Sequence, residues 1–310
     1  MPPLISLSKV SKRYGSLPVL REVDLEIGPG VTGLLGPNGA GKSSLIKMLM
    51  GLISVNSGTG MILGHPLGKH GRQVRAKVGY VPEEDCYIPG MTGIEAVQFA
   101  ACLSGFPRIE AIRRAHEILD FCGTKQERYR AIETYSTGMR QKIKFASAIV
   151  HDPEFLILDE PTSGLDPEER ELLLNRIRTL ADMTGKSVIL STHILPDVQQ
   201  ICDQVVILAK GQVRLNRSFE ELDRPSSPTL LITLLNNREP FMDAARRKGM
   251  EVELALNGQL RVSGDLETLP ARVWQLAAES GATIQAIKPA KNSLEEIFIA
   301  AVQEASNANL

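Results

Sequence analysis

The stretch GPNGAGKS, residues 36–43, places two glycines, a lysine and a hydroxyl residue at the offsets GxxxxGK[ST]. Glycine has no side chain, so Gly36 and Gly41 allow backbone N–H groups to converge where a Cβ would block them. Such N–H groups at the start of a helix attract anions, because they meet the positive end of the helix dipole. The alternative is a tight turn followed by a surface lysine. The spacing favours a loop that holds a phosphate group.

The segments on either side of this loop fit a phosphate site. Residues 30–36 form a short apolar run suited to a buried strand, and residues 43–52 have apolar positions at helical spacing. Strand, loop and helix are the arrangement that the motif requires, so we predict that the loop binds nucleotide. Lys42 is expected to reach the β- and γ-phosphates, and Ser43 to ligate Mg²⁺. The predicted nucleotide contacts are Gly36, Pro37, Asn38, Gly39, Ala40, Gly41, Lys42, Ser43 and Ser44.

A second apolar strand ends in two carboxylates. The run FLILDEP, residues 155–161, contains Asp159 and Glu160 at its end. Acids at strand ends are common and are often only solvated, but beside a phosphate loop they predict metal chemistry. Asp159 is expected to hold Mg²⁺, directly or through water, and Glu160 to polarise the attacking water. No NKxD-like guanine reader follows, which excludes a G-protein, and no arginine-rich lid supports an adenylate kinase.

Three further motifs surround the acidic strand in a fixed order. YSTGMRQK (135–142) precedes the strand, SGLD (163–166) follows it, and STH (191–193) ends the next apolar run. Together with the phosphate loop and the acid pair, this order closely resembles the ATP-binding cassette (ABC) ATPases. By this resemblance, residues 36–43 are the Walker A motif, 135–142 the signature and 155–161 the Walker B motif. Residues 163–166 are the D-loop, and His193 is the switch histidine.

The resemblance implies roles for further residues. Tyr14 matches the aromatic residue that stacks on adenine, and His193 matches the histidine that contacts the γ-phosphate and positions the water. Without the resemblance, these two residues fit an ordinary strand tyrosine and a structural histidine. Ser136 and Gly138 match the signature residues that contact ATP held by the opposite subunit. Asp166 matches the D-loop aspartate, although it also suits a helix N-cap. The family implies two cassettes paired head to tail with two ATP molecules between them.

Two positions depart from the family pattern. Glu83 stands where the family has the Q-loop glutamine, and a glutamate keeps an oxygen for Mg²⁺ but loses the amide donor. Glu83 is therefore predicted to sense Mg²⁺ beside Ser43 and Asp159. The signature contains Ser-Thr-Gly-Met, residues 136–139, in place of the commoner Ser-Gly-Gly-Gln. Both variants resemble the branch of ABC ATPases that serves exporters of drugs, antibiotics and polysaccharides.

The composition limits the partners and the location of the chain. The 310 residues carry a net charge of −1, which argues against nucleic-acid binding, since that requires excess positive charge. The four cysteines show no CxxC spacing, so we expect reduced, mostly buried thiols in a cytosolic protein. No secretory signal and no run of about eighteen apolar residues is visible. The chain is expected at the cytoplasmic face of the membrane, held there by a partner.

The apolar pattern predicts an α/β fold in which residues 1–224 form a P-loop ABC ATPase cassette. Residues 4–27 are expected to form an antiparallel β subdomain, and residues 83–135 a helical subdomain. In the family, the helical subdomain faces the membrane subunit, so residues 84–105 are the candidate coupling surface. The parallel strands of the central sheet are predicted at 31–35, 155–159, 187–191 and 205–209.

The stretch DRPSSP, residues 223–228, is the clearest linker in the chain. Residues 229–310 then show strands and helices in the order βαββαβ, which indicates a small α+β domain of the ferredoxin-like type. A last helix is expected to begin with a capping box from Ser293 to Glu296. This domain resembles the C-terminal extension of exporter-branch ATPases, for which regulation and dimer support are both open roles.

These features predict the ATP-binding and ATP-hydrolysing subunit of an ABC exporter. Two subunits, identical or different, would work beneath a separate membrane-spanning permease. The alternative is a soluble ABC ATPase that remodels a nucleoprotein or another assembly. Such proteins typically carry two cassettes or a long coiled-coil insertion, and this sequence has neither. A nucleotide-gated switch with little turnover is disfavoured because Glu160 is intact.

Overall fold

The computed structural model describes residues 3–222, 229–254, 258–264, 268–289 and 294–307. The chain divides into two compact units, one formed by Met1–Phe219 with Phe298–Leu310 and the other by Glu220–Ile297. This division groups the end of the chain with the first unit, whereas the sequence pattern placed it in the C-terminal domain. The predicted linker, 223–228, lies outside the described residues.

A six-stranded sheet forms the centre of the first unit. Its strands are β3 (Val31–Leu35), β6 (Val78–Val81), β7 (Phe155–Asp159), β8 (Ser187–Thr192), β9 (Gln204–Ala209) and β10 (Gln212–Ser218). They are arranged in the order β10-β9-β3-β8-β7-β6, with β10 antiparallel to β9 and the other pairs parallel. Every residue of β3, β7 and β8 is buried, as expected for apolar strands covered on both faces. The four predicted central strands are confirmed.

The register of this sheet brings distant motifs together. Leu35 at the end of β3 pairs with Thr192 on β8, and Asp159 at the end of β7 pairs with Ser191. The carboxyl ends of three neighbouring parallel strands therefore meet at one edge. The loop after β3, the acid pair and the STH motif all follow these ends, where open α/β sheets bind their ligands.

An antiparallel sheet forms a second layer of the first unit. Its strands are β1 (Ile5–Tyr14), β2 (Leu17–Ile27), β4 (Ser57–Ile62) and β5 (His65–Pro66), in the order β2-β1-β4-β5. Apolar residues of β1 and β2 share one buried core with residues of β3, β7 and β9, including Val10, Leu20 and Ile157. The antiparallel layer predicted for residues 4–27 is confirmed, and burial of this shared core holds it in place.

The helices of the first unit connect and cover the sheets. They are α1 (Lys42–Leu49), α2 (Gly71–Lys77), α3 (Gly93–Leu103), α4 (Arg108–Phe121), α5 (Thr137–Ile149), α6 (Pro167–Thr184) and α7 (Leu195–Ile201). A short helix α8 (Phe219–Leu222) follows β10. Helices α3 and α4 pack together within the helical subdomain expected between 83 and 135, and α3 also packs against α5, which follows it. Across the described ranges, no helix is both long and apolar enough to cross a bilayer.

The second unit contains a four-stranded antiparallel sheet. Its elements are β11 (Thr229–Leu234), α9 (Arg238–Arg247), β12 (Glu251–Leu254), β13 (Leu260–Ser263), α10 (Leu269–Ser280) and β14 (Ile284–Pro289). The strands lie in the order β12-β13-β11-β14. Ile232, Phe241 and Val273 belong to its core, so α9 and α10 pack on the sheet. A last helix, α11, spans Leu294–Asn307, and the predicted capping residue Ser293 lies outside the described residues.

The four cysteines fall into two classes. Cys122 and Cys202 are buried, whereas Cys86 and Cys102 are exposed. The expectation of mostly buried thiols is therefore wrong for two of the four. Cys86 lies in the loop after β6 and Cys102 near the end of α3, where packing of the helical subdomain leaves both at the surface. Burial raises the pKa of Cys122 to about 12 and also raises the pKa of Cys202.

These thiols give a direct test of the fold. We expect a chromogenic disulfide reagent to titrate Cys86 and Cys102 in the native chain and all four thiols after denaturation. A chain carrying both Cys86→Ser and Cys102→Ser serves as the control and should show no rapid native reaction. Rapid reaction of Cys122 or Cys202 without denaturant would contradict their burial.

Candidate active site

The loop between β3 and α1 is fixed by close packing. Helix α1 begins at Lys42, with Gly41 as its N-cap at φ 108°, in the left-handed region. A Cβ on Gly41 would lie 2.9 Å from Leu20 Cδ2 and 3.0 Å from the carbonyl oxygen of Val19. Both the backbone conformation and the space therefore require glycine. The free N–H groups of the first turn of α1 open onto this loop.

Lys42 folds back onto the loop that precedes it. The residue is 8% exposed, and its Nζ donates to the carbonyl oxygen of Gly36 at 2.7 Å. The carbonyl oxygen of Pro37 lies 3.5 Å from the same Nζ. A buried ammonium group requires such acceptors. Gly36 and Pro37 therefore hold Lys42 through their carbonyl groups and do not themselves line the adjacent cavity.

A cavity of about 490 Å³ lies beside this loop, a volume that suits a small-molecule ligand. Its lining residues are Leu17, Val19, Asn38, Gly39, Ala40, Gly41, Lys42, Ser43, Ser44, Glu83, Asp159 and Glu160. All of them except Leu17 and Val19 are residues that the sequence predicted for the site. The two exceptions lie on β2, and only the packing of the antiparallel sheet brings them to the cavity.

The chain turns sharply where β7 ends. Glu160 has φ 48°, a left-handed conformation that costs a non-glycine residue roughly 1–3 kcal/mol. Its N–H donates to the carbonyl oxygen of Ser191 at 2.8 Å. Nδ1 of His193 lies 3.0 Å from both carboxylate oxygens of Glu160, and the Thr192 hydroxyl lies 3.4 Å from one of them. These contacts orient the Glu160 carboxylate, which is 5% exposed.

His193 does not line the cavity, but it contacts Glu160, which does. More than half of the His193 side chain is exposed, 58%, against 6% for the side chain of Glu160. An ionised carboxylate only accepts hydrogen bonds, so Nδ1 of His193 is the donor of this pair. The second ring nitrogen of His193 makes no contact with Glu160 and is free to face a ligand.

The cavity carries the oxygen atoms that a magnesium ion requires. Ser43, Glu83 and Asp159 line it, and their side chains offer one hydroxyl and two carboxylates. Mg²⁺ is commonly held by one or two carboxylates together with phosphate oxygens and water. Among the described residues, no three His, Cys, Asp or Glu side chains form a metal cluster by themselves. The donor set therefore fits Mg²⁺ bound together with a nucleotide.

The loop that carries Glu83 is tied to α5. Nζ of Lys144 donates to the carbonyl oxygen of Glu83 at 3.0 Å. Burial lowers the pKa of Lys144, and the neighbouring Cys86 and carboxylates oppose that shift. Burial and the Asp159 carboxylate raise the pKa of Tyr80 to about 12. No pattern in the sequence indicated the Lys144 contact.

The signature residues lie at the start of α5, outside the lining of the cavity. Ser136 is the N-cap of α5, and its hydroxyl accepts a hydrogen bond from the N–H of Met139 at 3.3 Å. Gly138 is buried against the side chain of Glu169, since a Cβ there would overlap that carboxylate. These two predicted nucleotide contacts do not join the cavity of their own chain.

Asp166 and Tyr14 also lie outside the lining. Asp166 is the N-cap of α6, where Oδ1 accepts from the N–H of Glu169 at 2.8 Å and a proline follows. The predicted cap is confirmed. Tyr14 ends β1 with 48% of its surface exposed, and its ring centroid lies 5.2 Å from Nζ of Lys12.

A phosphate loop after β3, an acid pair at the end of β7 and a histidine after β8, the strand between them, are typical of the cassette class of P-loop ATPases. The chain belongs to the ABC transporter family and is an ATP-binding subunit and an ATPase of that family. The family profile described as "ABC transporter" matches residues 20–163.

Relatives from two bacteria cover most of the chain. It is 33% identical to "Linearmycin resistance ATP-binding protein LnrL" of Bacillus subtilis, over 78% of this chain and 79% of that protein. It is 35% identical to "Nod factor export ATP-binding protein I" of Cupriavidus metallidurans, over 78% of this chain and 80% of that protein. A solved "ATP binding subunit of ABC transporter" is 28% identical, with a TM-score of 0.63 over 87% of this chain and 99% of its own.

Proposed function

We propose that this chain is the ATP-hydrolysing subunit of an ABC exporter, driving a separate permease through ATP-dependent closure of a dimer. One observation carries the proposal. Lys42, Asp159 and Glu160 line a single cavity, whereas Ser136 and Gly138 of the same chain lie outside it. A site built in this way is completed by a second subunit, in a homodimer or a heterodimer.

The phosphate loop is the proposed binding site for the phosphates of the substrate, ATP. Its backbone N–H groups and the Lys42 ammonium hold the β- and γ-phosphates, and Tyr14 stacks on adenine. Ser43, Glu83 and Asp159 are proposed to hold Mg²⁺, which supplies positive charge to the phosphate oxygens when it is bound. Ser44, in the first turn of α1, is proposed to contact the nucleotide beside Ser43.

Glu160 is the proposed general base. Its buried carboxylate accepts the proton of the attacking water, and His193 donates from Nδ1 to that carboxylate and fixes its direction. The other ring nitrogen of His193 is then left to face the γ-phosphate. The strained backbone at Glu160 suits this role, because residues held in such conformations cluster at active sites.

The N-terminus of α5 is the proposed contribution to the partner's site. Ser136 and Gly138 would contact the γ-phosphate of ATP bound by the other subunit, with the positive end of the α5 dipole behind them. Asp166 is proposed to face the partner from the D-loop. Hydrolysis removes the γ-phosphate that both subunits contact. The dimer then opens, and the permease returns to its starting conformation.

The proposed permease-docking surface is a groove of about 400 Å³ beside α3 and α5. Its apolar lining includes Ile88, Phe99 and Leu103, which are all exposed. Arg140 and Asp85 form an ion pair at 3.0 Å in the same groove. Exposed apolar clusters with polar residues beside them mark interaction sites. Docking there would hold the chain at the cytoplasmic face of the membrane.

Two further observations support an exporter. The relatives described above are named for resistance and for export. The second unit has four antiparallel strands in the order β12-β13-β11-β14 with two packed helices, and we propose that it is the ferredoxin-like C-terminal domain expected from the sequence. Its role is proposed to be regulation or support of the dimer.

The docking surface can be tested by isolating the complex from membranes. The wild-type chain should copurify with a permease of several apolar spans, and Phe99→Asp should abolish copurification while ATP binding persists. Met183→Asp is the matched control, because Met183 is an exposed apolar residue of α6 outside the groove. Copurification of the Phe99→Asp chain at the wild-type level would reject the groove, and wild-type chain isolated only with soluble protein would reject the transporter.

A further inference from the structure

Asp197 is a fully buried carboxylate that has no part in the mechanism described so far. It lies on α7, and none of its surface is exposed. Its Oδ2 accepts a hydrogen bond from the Thr162 hydroxyl at 2.5 Å, and its Oδ1 is paired with the guanidinium of Arg170. Burying a carboxylate is costly unless it is paired in this way, so all three side chains are held in one arrangement.

The positions of these partners in the chain are informative. Thr162 comes two residues after Glu160, in the turn that leads to Asp166. Asp197 comes four residues after His193, at the start of α7. The two segments already meet once, where Glu160 contacts the Ser191 carbonyl group and the His193 ring. The bond from Thr162 to Asp197 joins them a second time.

The contacts of Glu160 and the bond from Thr162 to Asp197 attach the turn after β7 at two points. Two attachments fix the orientation of this turn, whereas one would let it rotate. Glu160 lies between them in a left-handed backbone conformation, φ 48°, which persists only where the surrounding structure enforces it. Thr162 is separated from Glu160 by a single proline, so its hydrogen bond acts directly on that turn. Arg170 extends the same arrangement to the first turns of α6, which begins after Asp166.

We propose that Asp197 is a positioning residue for ATP hydrolysis. By anchoring Thr162, it holds the turn that contains Glu160 against the segment that contains His193, and so sets the direction of the Glu160 carboxylate. The inference rests on the proposed roles of Glu160 and His193. It predicts that loss of this anchor impairs the chemical step and leaves ATP binding intact, because none of the three residues lines the cavity.

The decisive variant is Thr162→Val, which replaces the hydroxyl with a methyl group of similar size and leaves the Asp197–Arg170 pair in place. We expect kcat for ATP to fall by about tenfold or more, while KM stays within about twofold and ATP still raises the melting temperature. Thr162→Ser retains the hydroxyl and should recover most of the turnover. Asp197→Asn should reproduce the loss in kcat. Thr184→Val, on the exposed end of α6, is the matched control and should behave as wild type.

Three outcomes would overturn the proposal. They are a Thr162→Val chain with kcat within about twofold of wild type, a failure of Thr162→Ser to recover activity, and a Thr162→Val chain that does not fold. The last outcome would assign Thr162 to stability alone. The Glu160→Gln chain is assayed in parallel. If that chain hydrolyses ATP normally, the assignment of Glu160 as base has failed, which is a result separate from the fate of the Asp197 anchor.

Discussion

The Glu160→Gln chain is expected to bind ATP and to hydrolyse it about 10²- to 10⁴-fold more slowly than wild type, the range that a general base contributes. Glutamine keeps the size of the side chain and can still face His193, but it cannot accept a proton from water. Because the γ-phosphate is not removed, the closed dimer should accumulate in the presence of ATP. Size-exclusion chromatography and a phosphate-release assay measure the two effects.

The matched control for this substitution is Glu154→Gln. Glu154 immediately precedes β7, at the end of the strand opposite to Glu160, and its side chain is 63% exposed. Its exposed ion pair with Lys77 contributes little to stability, so turnover should not change. Near-normal turnover of the Glu160→Gln chain would reject Glu160 as the base, and loss of ATP binding would show that the substitution disturbs the phosphate loop instead.

Mixing two inactive chains is expected to restore activity. Lys42→Ala removes the lysine that binds the phosphates in one chain. In the other chain, Ser136→Arg places a bulky cation where the partner's nucleotide should contact the signature. A mixed dimer has one site with an intact Lys42 and an intact Ser136, while its second site lacks both. Random pairing should therefore recover roughly a quarter of the wild-type rate, as symmetric two-site assembly requires. Native mass spectrometry establishes that mixed dimers have formed.

Two controls make this complementation specific. A chain carrying both substitutions, mixed with either single variant, contains no complete site and should stay inactive. Ser136→Asp is a second signature variant, because aspartate preserves the N-cap of α5 but repels phosphate. It should complement Lys42→Ala as Ser136→Arg does, which excludes unfolding of α5 as the cause of inactivity. Verified mixed dimers without recovered turnover would contradict a site shared between two chains.

Local sequence was sufficient for the phosphate loop, the buried strands and the cap of α6. Gly36 and Gly41 predict a loop on which backbone N–H groups converge, because a Cβ would block them, and the structure has Gly41 as the N-cap of α1 at φ 108°. The run at 155–159 predicts a buried strand because every residue but the last is apolar. Asp166 predicts a cap because its short side chain reaches the N–H of Glu169. Each of these features depends on neighbours within a few residues.

Only the tertiary structure decided the remaining features, because they depend on residues far apart in the chain. Strand order alone places Ser191 and Thr192 beside Asp159 and Glu160.

The same dependence explains the contacts that the sequence missed. Packing of the antiparallel sheet brings Leu17 and Val19 to the cavity, and packing of the helical subdomain brings Lys144 to the backbone of Glu83. The bond from Thr162 to Asp197 joins residues 35 positions apart and becomes visible only when β7 and β8 are neighbours. The sequence by itself predicted which residues bind and cleave a triphosphate, because propensity and spacing are local. Folding decided what holds those residues in place, because hydrogen bonds between distant segments follow from the sheet.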